Sequence, residues 1–397
     1  MFKRGRGRKE YEGFFKRYNL WVASAILMGT IIGAGVLGIP YAIAKSGFLI
    51  GIIHLLVLGF TILILHLCIG EISLRTKGVH QLSGYMEKYL GKPGKYFMIL
   101  SMIIGIYGAL IAYILGQGEI FSKIIGGHPL IYSIAFFLIA STILYHGIKA
   151  TGRFELAITV LMVLSIFLIG ALAYDKITPA YLTGTHLKDF FLPYGVILFA
   201  FVGAAAIPEL REELEKDKHK LKKAIIIGSI TPIILYFIFA LVVIGIVGLN
   251  NFNTVGVNER IATVALSIFS EPYMAFIANL FAALAMFTSF LGLGLALKEM
   301  YMYDCKFNKH TAFLLTVMPP LFVSLLGLTN FIAVIAFAGA VAGGIDGILI
   351  MLAYWKAKKK GERKPEYSLN ISKTLTTLLI ILFSFGIIYQ LWSTLLH

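Results

Sequence analysis

The chain alternates between long apolar runs and short polar stretches. A helix needs roughly 20 mostly apolar residues to cross a hydrocarbon core about 30 Å thick. Eleven runs satisfy that length, at approximately 20–44, 47–73, 96–122, 130–147, 154–174, 192–208, 224–249, 271–297, 311–328, 330–354 and 374–395. They are continuous rather than alternating, which excludes the short strands of a membrane barrel. The pattern predicts an all-α polytopic membrane protein with eleven transmembrane helices. Two connecting stretches, 78–91 and 258–269, mix apolar and polar positions as short surface-lying helices do. The second is placed where a lid over an entrance would sit.

Composition narrows the function. The 397 residues are 58% hydrophobic and 14% charged, against about a quarter charged in ordinary soluble chains. That excludes a soluble enzyme, a disordered protein and a disulfide-stapled scaffold. Cys68 and Cys305 are too few for a disulfide framework. The His, Cys, Asp and Glu residues show no metal-ligand or nucleophile–base spacing, and no nucleotide-binding loop occurs. Neither an enzyme nor an ATP-driven pump is expected, and no resident cofactor.

The net charge of +15 records orientation. With a cytoplasmic N-terminus, thirty of the 35 Lys and Arg residues fall on the inner side. Only Lys45, Lys123, Lys176, Lys188 and Arg260 fall outside. This split matches the bias of basic residues toward cytoplasmic loops. It predicts a multi-pass protein of the cell membrane, with a basic cytoplasmic tail over 1–19 and an external C-terminus. The cations therefore imply no nucleic-acid partner. The lipid bilayer is the expected environment, and no obligatory protein partner is evident.

The first run contains Gly29, Gly33, Gly35, Gly38 and Pro40, a combination that weakens a helix at mid-depth. The sixth run repeats the pattern. Gly35-Val36-Leu37-Gly38-Ile39-Pro40 aligns with Gly203-Ala204-Ala205-Ala206-Ile207-Pro208 as G-x-x-small-I-P. Five runs separate the copies. Five is odd, so the second copy crosses in the opposite sense. Paired interruptions in two inverted halves point to a central binding site between repeats. The expected organisation is a five-helix repeat over 20–174, an inverted five-helix repeat over 192–354, discontinuous helices 1 and 6, and one extra helix over 374–395.

Such breaks suit a zwitterion. A half-helix that starts after a break offers free N–H groups and a positive dipole end to an anion. Gly33, Ala34 and Gly35 can hold a carboxylate in this way. Carbonyls near Thr30, Ile31, Phe199 and Val202 can hold an ammonium. No charged side chain is required, and none occurs at these positions.

The stretch GTIIGAGVLGIPYA (29–42) resembles the amino acid/auxin permease branch of the amino acid–polyamine–organocation superfamily. The segment LFAFVGAAAIPELREEL (198–214) is similar to that superfamily's sixth helix. The resemblance implies an alternating-access amino acid carrier of the bacterial leucine transporter fold. It places Gly33, Ala34 and Gly35 in the carboxylate loop and Phe199 as the aromatic closing over substrate. Val202 and Gly203 fall in the unwound segment. It also implies a Na⁺ site formed by Gly29 and Ile32 with Ala285, Thr288 and Ser289 on helix 8, hard oxygen donors of the kind a hard cation prefers. In proton-coupled relatives a lysine on helix 5 takes the sodium's place, and residues 154–174 contain none. Sodium is therefore favoured as coupling ion over H⁺. Thr288 and Ser289 can alternatively bond their own helix carbonyls.

Other polar residues in the apolar runs are functional suspects. Asp346 is the best candidate for a protonatable gate. Glu71 and Glu119 fall near helix ends, where a solvated or snorkelling role is expected. His54 and His66 can relay protons or simply bond neighbouring helices, and Tyr107 is a candidate cavity tyrosine. Phe199, Phe201, Phe287 and Phe290 suggest an apolar pocket. The expected function is a secondary transporter importing a neutral, hydrophobic or aromatic amino acid. A proton-coupled carrier and an amino acid sensor of the same fold are the alternatives.

Overall fold

The computed structural model describes residues 19–78, 80–146 and 152–396, so the expected basic tail lies outside the described residues apart from Asn19. All regular elements described are helical. The chain opens with α1 (Asn19–Ile31) and α2 (Gly35–Ser46), which meet at a 55° bend. There follow α3 (Phe48–Arg75), α4 (Leu82–Leu90), α5 (Lys92–Ile125), α6 (Pro129–His146) and α7 (Gly152–Leu172). Next come α8 (Leu192–Phe201), α9 (Ile207–Glu213), α10 (Leu221–Thr254), α11 (Ala262–Phe269), α12 (Pro272–Tyr303) and α13 (Lys309–Leu325). A π-helical segment, Gly339–Gly343, joins α14 (Phe331–Ala338) to α15 (Gly344–Lys360), and α16 (Lys373–Leu396) follows.

Among the described residues, eight helices are long and apolar enough to cross a membrane, or nine with the bent α1–α2 pair counted as one. One of the eleven expected runs falls short of that standard, α13 with 17 residues, while α7 has the 21-residue length its run predicts. A helix of about 17 residues rises only about 26 Å, less than a full hydrocarbon core. The protein is an all-helical multi-pass membrane protein with a discontinuous first helix.

Its outer surface is apolar where lipid would lie. Leu138 and Ile139 on α6, Leu164 and Phe167 on α7, and Ile388 and Trp392 on α16 are all exposed. A band of that extent belongs against hydrocarbon rather than water. The interior is built on small residues. A Cβ on Gly35 of α2 would lie 2.4 Å from the Ala200 Cα of α8, and one on Gly195 of α8 would lie 2.2 Å from the Ala336 carbonyl oxygen of α14. Glycine is what lets three backbones pack this closely.

The two short helices expected from the loops are both present, but they are built in rather than laid on the surface. Tyr85 and Met86 of α4 are fully buried, as are Ala262, Val264, Ala265 and Leu266 of α11. Glu71 likewise departs from the snorkelling role expected of it. It is fully buried, pairs with Arg75 at 2.8 Å, and accepts from the Leu369 N–H at 2.6 Å. A carboxylate so close to a helix end can be satisfied by a returning loop instead of by water, and here the chain after α15 does so.

Candidate functional site

The two helix breaks lie against each other in the core. In the first, Ile32, Gly33 and Ala34 separate α1 from α2. In the second, Val202 is extended (φ −60°, ψ 123°), Gly203 has φ −156° and ψ 3°, and a single 3₁₀ turn over Ala204–Ala206 leads into α9. A Cβ on Gly203 would lie 2.6 Å from Ile31 Cγ1, so the broken segments touch. In both copies of the G-x-x-small-I-P pattern the glycine marks the break. The prolines do not. Pro40 lies within α2, and Pro208 lies in the first turn of α9.

Tyr236 of α10 joins the breaks. Its ring is fully buried, and its hydroxyl donates to the Ile31 carbonyl at 2.9 Å and to the Ala200 carbonyl at 3.0 Å. These acceptors are end carbonyls of the two half-helices, which lack intrahelical partners. A phenol has one hydrogen, so the two carbonyls share it. Sequence reading missed this residue, since one tyrosine among 20 carries no distinguishing signal.

Gly33 faces two hydroxyls. A Cβ there would lie 3.1 Å from Tyr113 Oη of α5 and 3.1 Å from Ser289 Oγ of α12. Ser289 is buried, and its hydroxyl has no hydrogen-bond partner of normal geometry. Thr288, its neighbour, instead donates to the Leu284 and Ala285 carbonyls of its own helix, at 3.0 and 3.1 Å. Thr30 also bonds its own helix, at the Ile26 carbonyl. A Cβ on Gly29 would lie 3.1 Å from Thr159 Oγ1 of α7, which therefore stands beside the α1 positions expected to hold an ion. Phe199 sits with its Cβ where a side chain on Gly339 of the π segment would be.

The remaining suspects are scattered. Tyr107 bonds Tyr301 Oη at 2.9 Å and the Leu315 carbonyl at 2.5 Å, so its hydroxyl is engaged with α12 and α13, and Tyr113 is the tyrosine at the break. Phe287 and Phe290 pack edge-on against Phe136 of α6, while Phe201 lies 5.1 Å from the Tyr236 ring. Glu119 stands near the far end of α5, in the field of the Lys123–Glu259 pair. Asp346 lies on α15, bonded to Ser101 of α5 at 2.6 Å.

Two arginines close the bundle at its ends. At the cation-rich end, Arg211 of α9 is 4% exposed. It donates to the Thr76 carbonyl and Tyr85 Oη, both at 3.0 Å, and to the Gly78 carbonyl. Burial pushes the Tyr85 phenol up, despite the guanidinium beside it, so it stays neutral and accepts. At the opposite end Arg260 donates to Tyr41 Oη at 3.1 Å and lies over its ring, tying α2 to the segment before α11. Beside it Lys123 holds the Glu259 carboxyl below the usual carboxylate range. Charge-assisted bonds contribute about 1.5–3 kcal/mol each. Arg211→Ala is therefore expected to lower the melting temperature in detergent by a few degrees. An unchanged melting curve would remove Arg211 as a structural clamp.

The site thus sits in a polytopic helical bundle whose first span is broken against a second break, with an arginine-held contact at each end. The chain belongs to the tryptophan/tyrosine permease family, whose model matches residues 16–393. The resemblance read from the helix 1 and helix 6 motifs therefore holds at the level of family and superfamily, and the protein is a transport protein. Three relatives illustrate the range. Glutamine transporter 2 of Aliivibrio fischeri is 26% identical, covering 82% of this chain and 85% of the relative. Tyrosine-specific transport system 1 of Haemophilus influenzae is 24% identical, covering 91% and 94%. The tryptophan-specific transport protein of the same organism is 28% identical, covering 82% and 85%.

Proposed function

We propose that this protein is a secondary transporter that imports a neutral α-amino acid, aromatic or amide-bearing, by alternating access. The observation that carries the reading is the contact between the two broken helices, their end carbonyls sharing the Tyr236 hydroxyl. In this reading the free N–H groups at Gly33, Ala34 and Gly35 hold the carboxylate, with Tyr113 as an added donor. The Ile31 carbonyl takes the ammonium, and the Tyr236 hydrogen then passes wholly to Ala200. Relatives named for tyrosine, tryptophan and glutamine support a substrate without net side-chain charge.

In this reading α7 and the shorter α13 complete eleven spans, arranged as two inverted groups of five and one extra. The cation-rich end faces the cytoplasm of the cell membrane. A thermal-shift screen of the twenty amino acids tests the substrate class. A ligand at a hundred times its Kd stabilises the state it binds by about 2.7 kcal/mol. Stabilisation by tyrosine, tryptophan or glutamine, followed by uptake into proteoliposomes, is the expected result. Binding without flux would favour the sensor reading.

Sodium is the coupling ion we favour, held by oxygens of Gly29, Ile32, Ala285, Thr288 and Ser289. The Ser289 hydroxyl supports it, because its one near partner is the Tyr113 phenol and the buried oxygen keeps acceptor capacity to be satisfied. Thr288 would have to turn from its own helix. Ser289→Ala is expected to raise the half-saturating Na⁺ concentration at least about tenfold, a loss near 1.4 kcal/mol. Equal sodium stimulation of uptake in wild type and variant would remove Ser289 from the ion site.

A further inference from the structure

Asp346 and Ser101 make a hydrogen-bond arrangement that is one hydrogen short. Ser101 Oγ lies 2.6 Å from Asp346 Oδ1 and 2.8 Å from the Ala342 carbonyl oxygen, and Ser101 is 1% exposed. A serine has a single hydrogen to donate, whereas a carbonyl and an ionised carboxylate both only accept. With Asp346 ionised, one of the two contacts sets lone pairs against each other. With Asp346 protonated, its O–H donates to Ser101 and Ser101 donates to Ala342, and both contacts are satisfied. The Ala342 carbonyl belongs to the π-helical segment Gly339–Gly343, where the regular helix ladder is interrupted.

A second buried group points to the same place. Asp346 lines a cavity of about 10 Å³ with Val202 and Gly203 of the second break, Gly343 of the π segment and His66 of α3. His66 is 1% exposed. Its Nδ1 is 2.9 Å from Ser229 Oγ, and its Nε2 has no partner. The cavity is about the size one water needs.

Among the described residues, no other charge compensates Asp346. From α3, besides His66, Glu71 is committed to Arg75. From α4, Tyr85 is bonded to Arg211, Lys88 to Glu362 and Tyr89 to Thr76. From α5, Lys95 pairs with Glu87. The α8 and 204–206 segments contribute no titratable side chain here, and the nearest acid or base of α16 is Lys373 at its first turn or Tyr389 in its second half.

We propose that Asp346, Ser101 and the Ala342 carbonyl form a proton-binding site, with His66 and one water in the cavity as its exchange route. The inference rests on the carrier reading and deepens it. It is separate from the sodium position between α1 and α12. The closed packing described here holds the proton on Asp346. When the proton leaves through the cavity, an unpaired carboxylate remains on the half-buried Asp346 beside Val202 and Gly203, and more water must enter to solvate it. Deprotonation thus opens the seam between α3, the second break and α15, and protonation closes it.

The test uses the full chain in proteoliposomes, with amino acid counterflow measured at lumenal and external pH values between about 5 and 8, and a thermal melt of the same proteins. Wild-type counterflow is expected to vary with pH. Asp346→Asn, which is permanently neutral, is expected to exchange at a rate independent of pH. Its melting temperature relative to wild type is expected to rise as pH rises, because wild type alone must hold a proton to stay packed. Ser101→Ala, which leaves the carboxyl in place, is expected to shift the midpoint of the pH profile by about threefold or more in proton concentration. An Asp346→Asn protein with the wild-type pH profile overturns the proposal. If that variant does not fold, an unshifted Ser101→Ala profile overturns it instead. A wild-type protein that exchanges amino acid at a pH-independent rate overturns the proton site alone. A protein that exchanges no amino acid at any pH overturns the carrier reading on which it rests.

Discussion

Gly35→Val is expected to abolish amino acid uptake and to lower the yield of folded protein. The added Cβ would lie 2.4 Å from the Ala200 Cα, 2.7 Å from its Cβ and 2.9 Å from its N. All three belong to or are fixed by the α8 backbone, so no side chain can swing away. Overpacking a well-packed core costs about 1–3 kcal/mol even where neighbours can yield. Here α2 and α8 must separate at the level of both breaks, carrying Gly33 away from Tyr113 and Ser289. Uptake below about a tenth of wild type is expected, read beside a size-exclusion profile. Gly35→Ala adds the same Cβ without the branch, so it should be impaired as well, though less. Wild-type uptake in the valine variant would show that the close approach of α2 and α8 is dispensable. The structure adds to the carboxylate role read from the sequence a second reason for this glycine, the close approach of the partner helix.

Tyr236→Phe is expected to slow transport at least tenfold while changing the half-saturating amino acid concentration by less than about threefold. The substitution keeps the ring packed against Phe201 and removes one hydrogen that two buried carbonyls share. Leaving a buried acceptor unpaired costs about 1–3 kcal/mol. The hydroxyl links the end of α1 to the end of α8. Its loss is therefore felt in the motion of one broken helix against the other, more than in the hold on the ligand. Rates and half-saturating concentrations from initial uptake separate these effects. A variant with reduced stability but an unchanged maximal rate would make Tyr236 a packing residue only.

The location of the breaks was legible because glycine acts locally, whereas the prolines fall within the helices that follow. Gly33 and Gly35 weaken the first helix whatever surrounds it, and the Gly203–Pro208 echo marks the second break by the same means. The composition of the apolar runs set the helical class equally directly. The run at 311–328 became a helix of only 17 residues, Lys309–Leu325, because hydropathy does not register where a helix ends. The π-helical turn at Gly339–Gly343 left no trace in the pattern either, although it sets the Ala342 carbonyl beside Ser101.

Among side chains, what could be read was residue type at a known depth, and what could not was direction. Thr288 and Ser289 are adjacent hydroxyls in sequence. A helix turns about 100° per residue, so one bonds its own backbone while the other faces Gly33. Tyr107 and Tyr113 lie on the same helix and differ in the same way. Glu71 looks like a solvated end residue until the chain after α15 folds back over it.

By itself the sequence determined the membrane class, the family, and the two places where a spanning helix must fail. Each follows from residue chemistry within a few positions. The tertiary structure alone decided that these two places touch, and that Tyr236, Tyr113 and Ser289 surround them. Those residues come from α10, α5 and α12. Contact between distant helices is set by the packing of small residues such as Gly35 and Gly195 against facing backbones, a property of pairs of surfaces that no single segment carries.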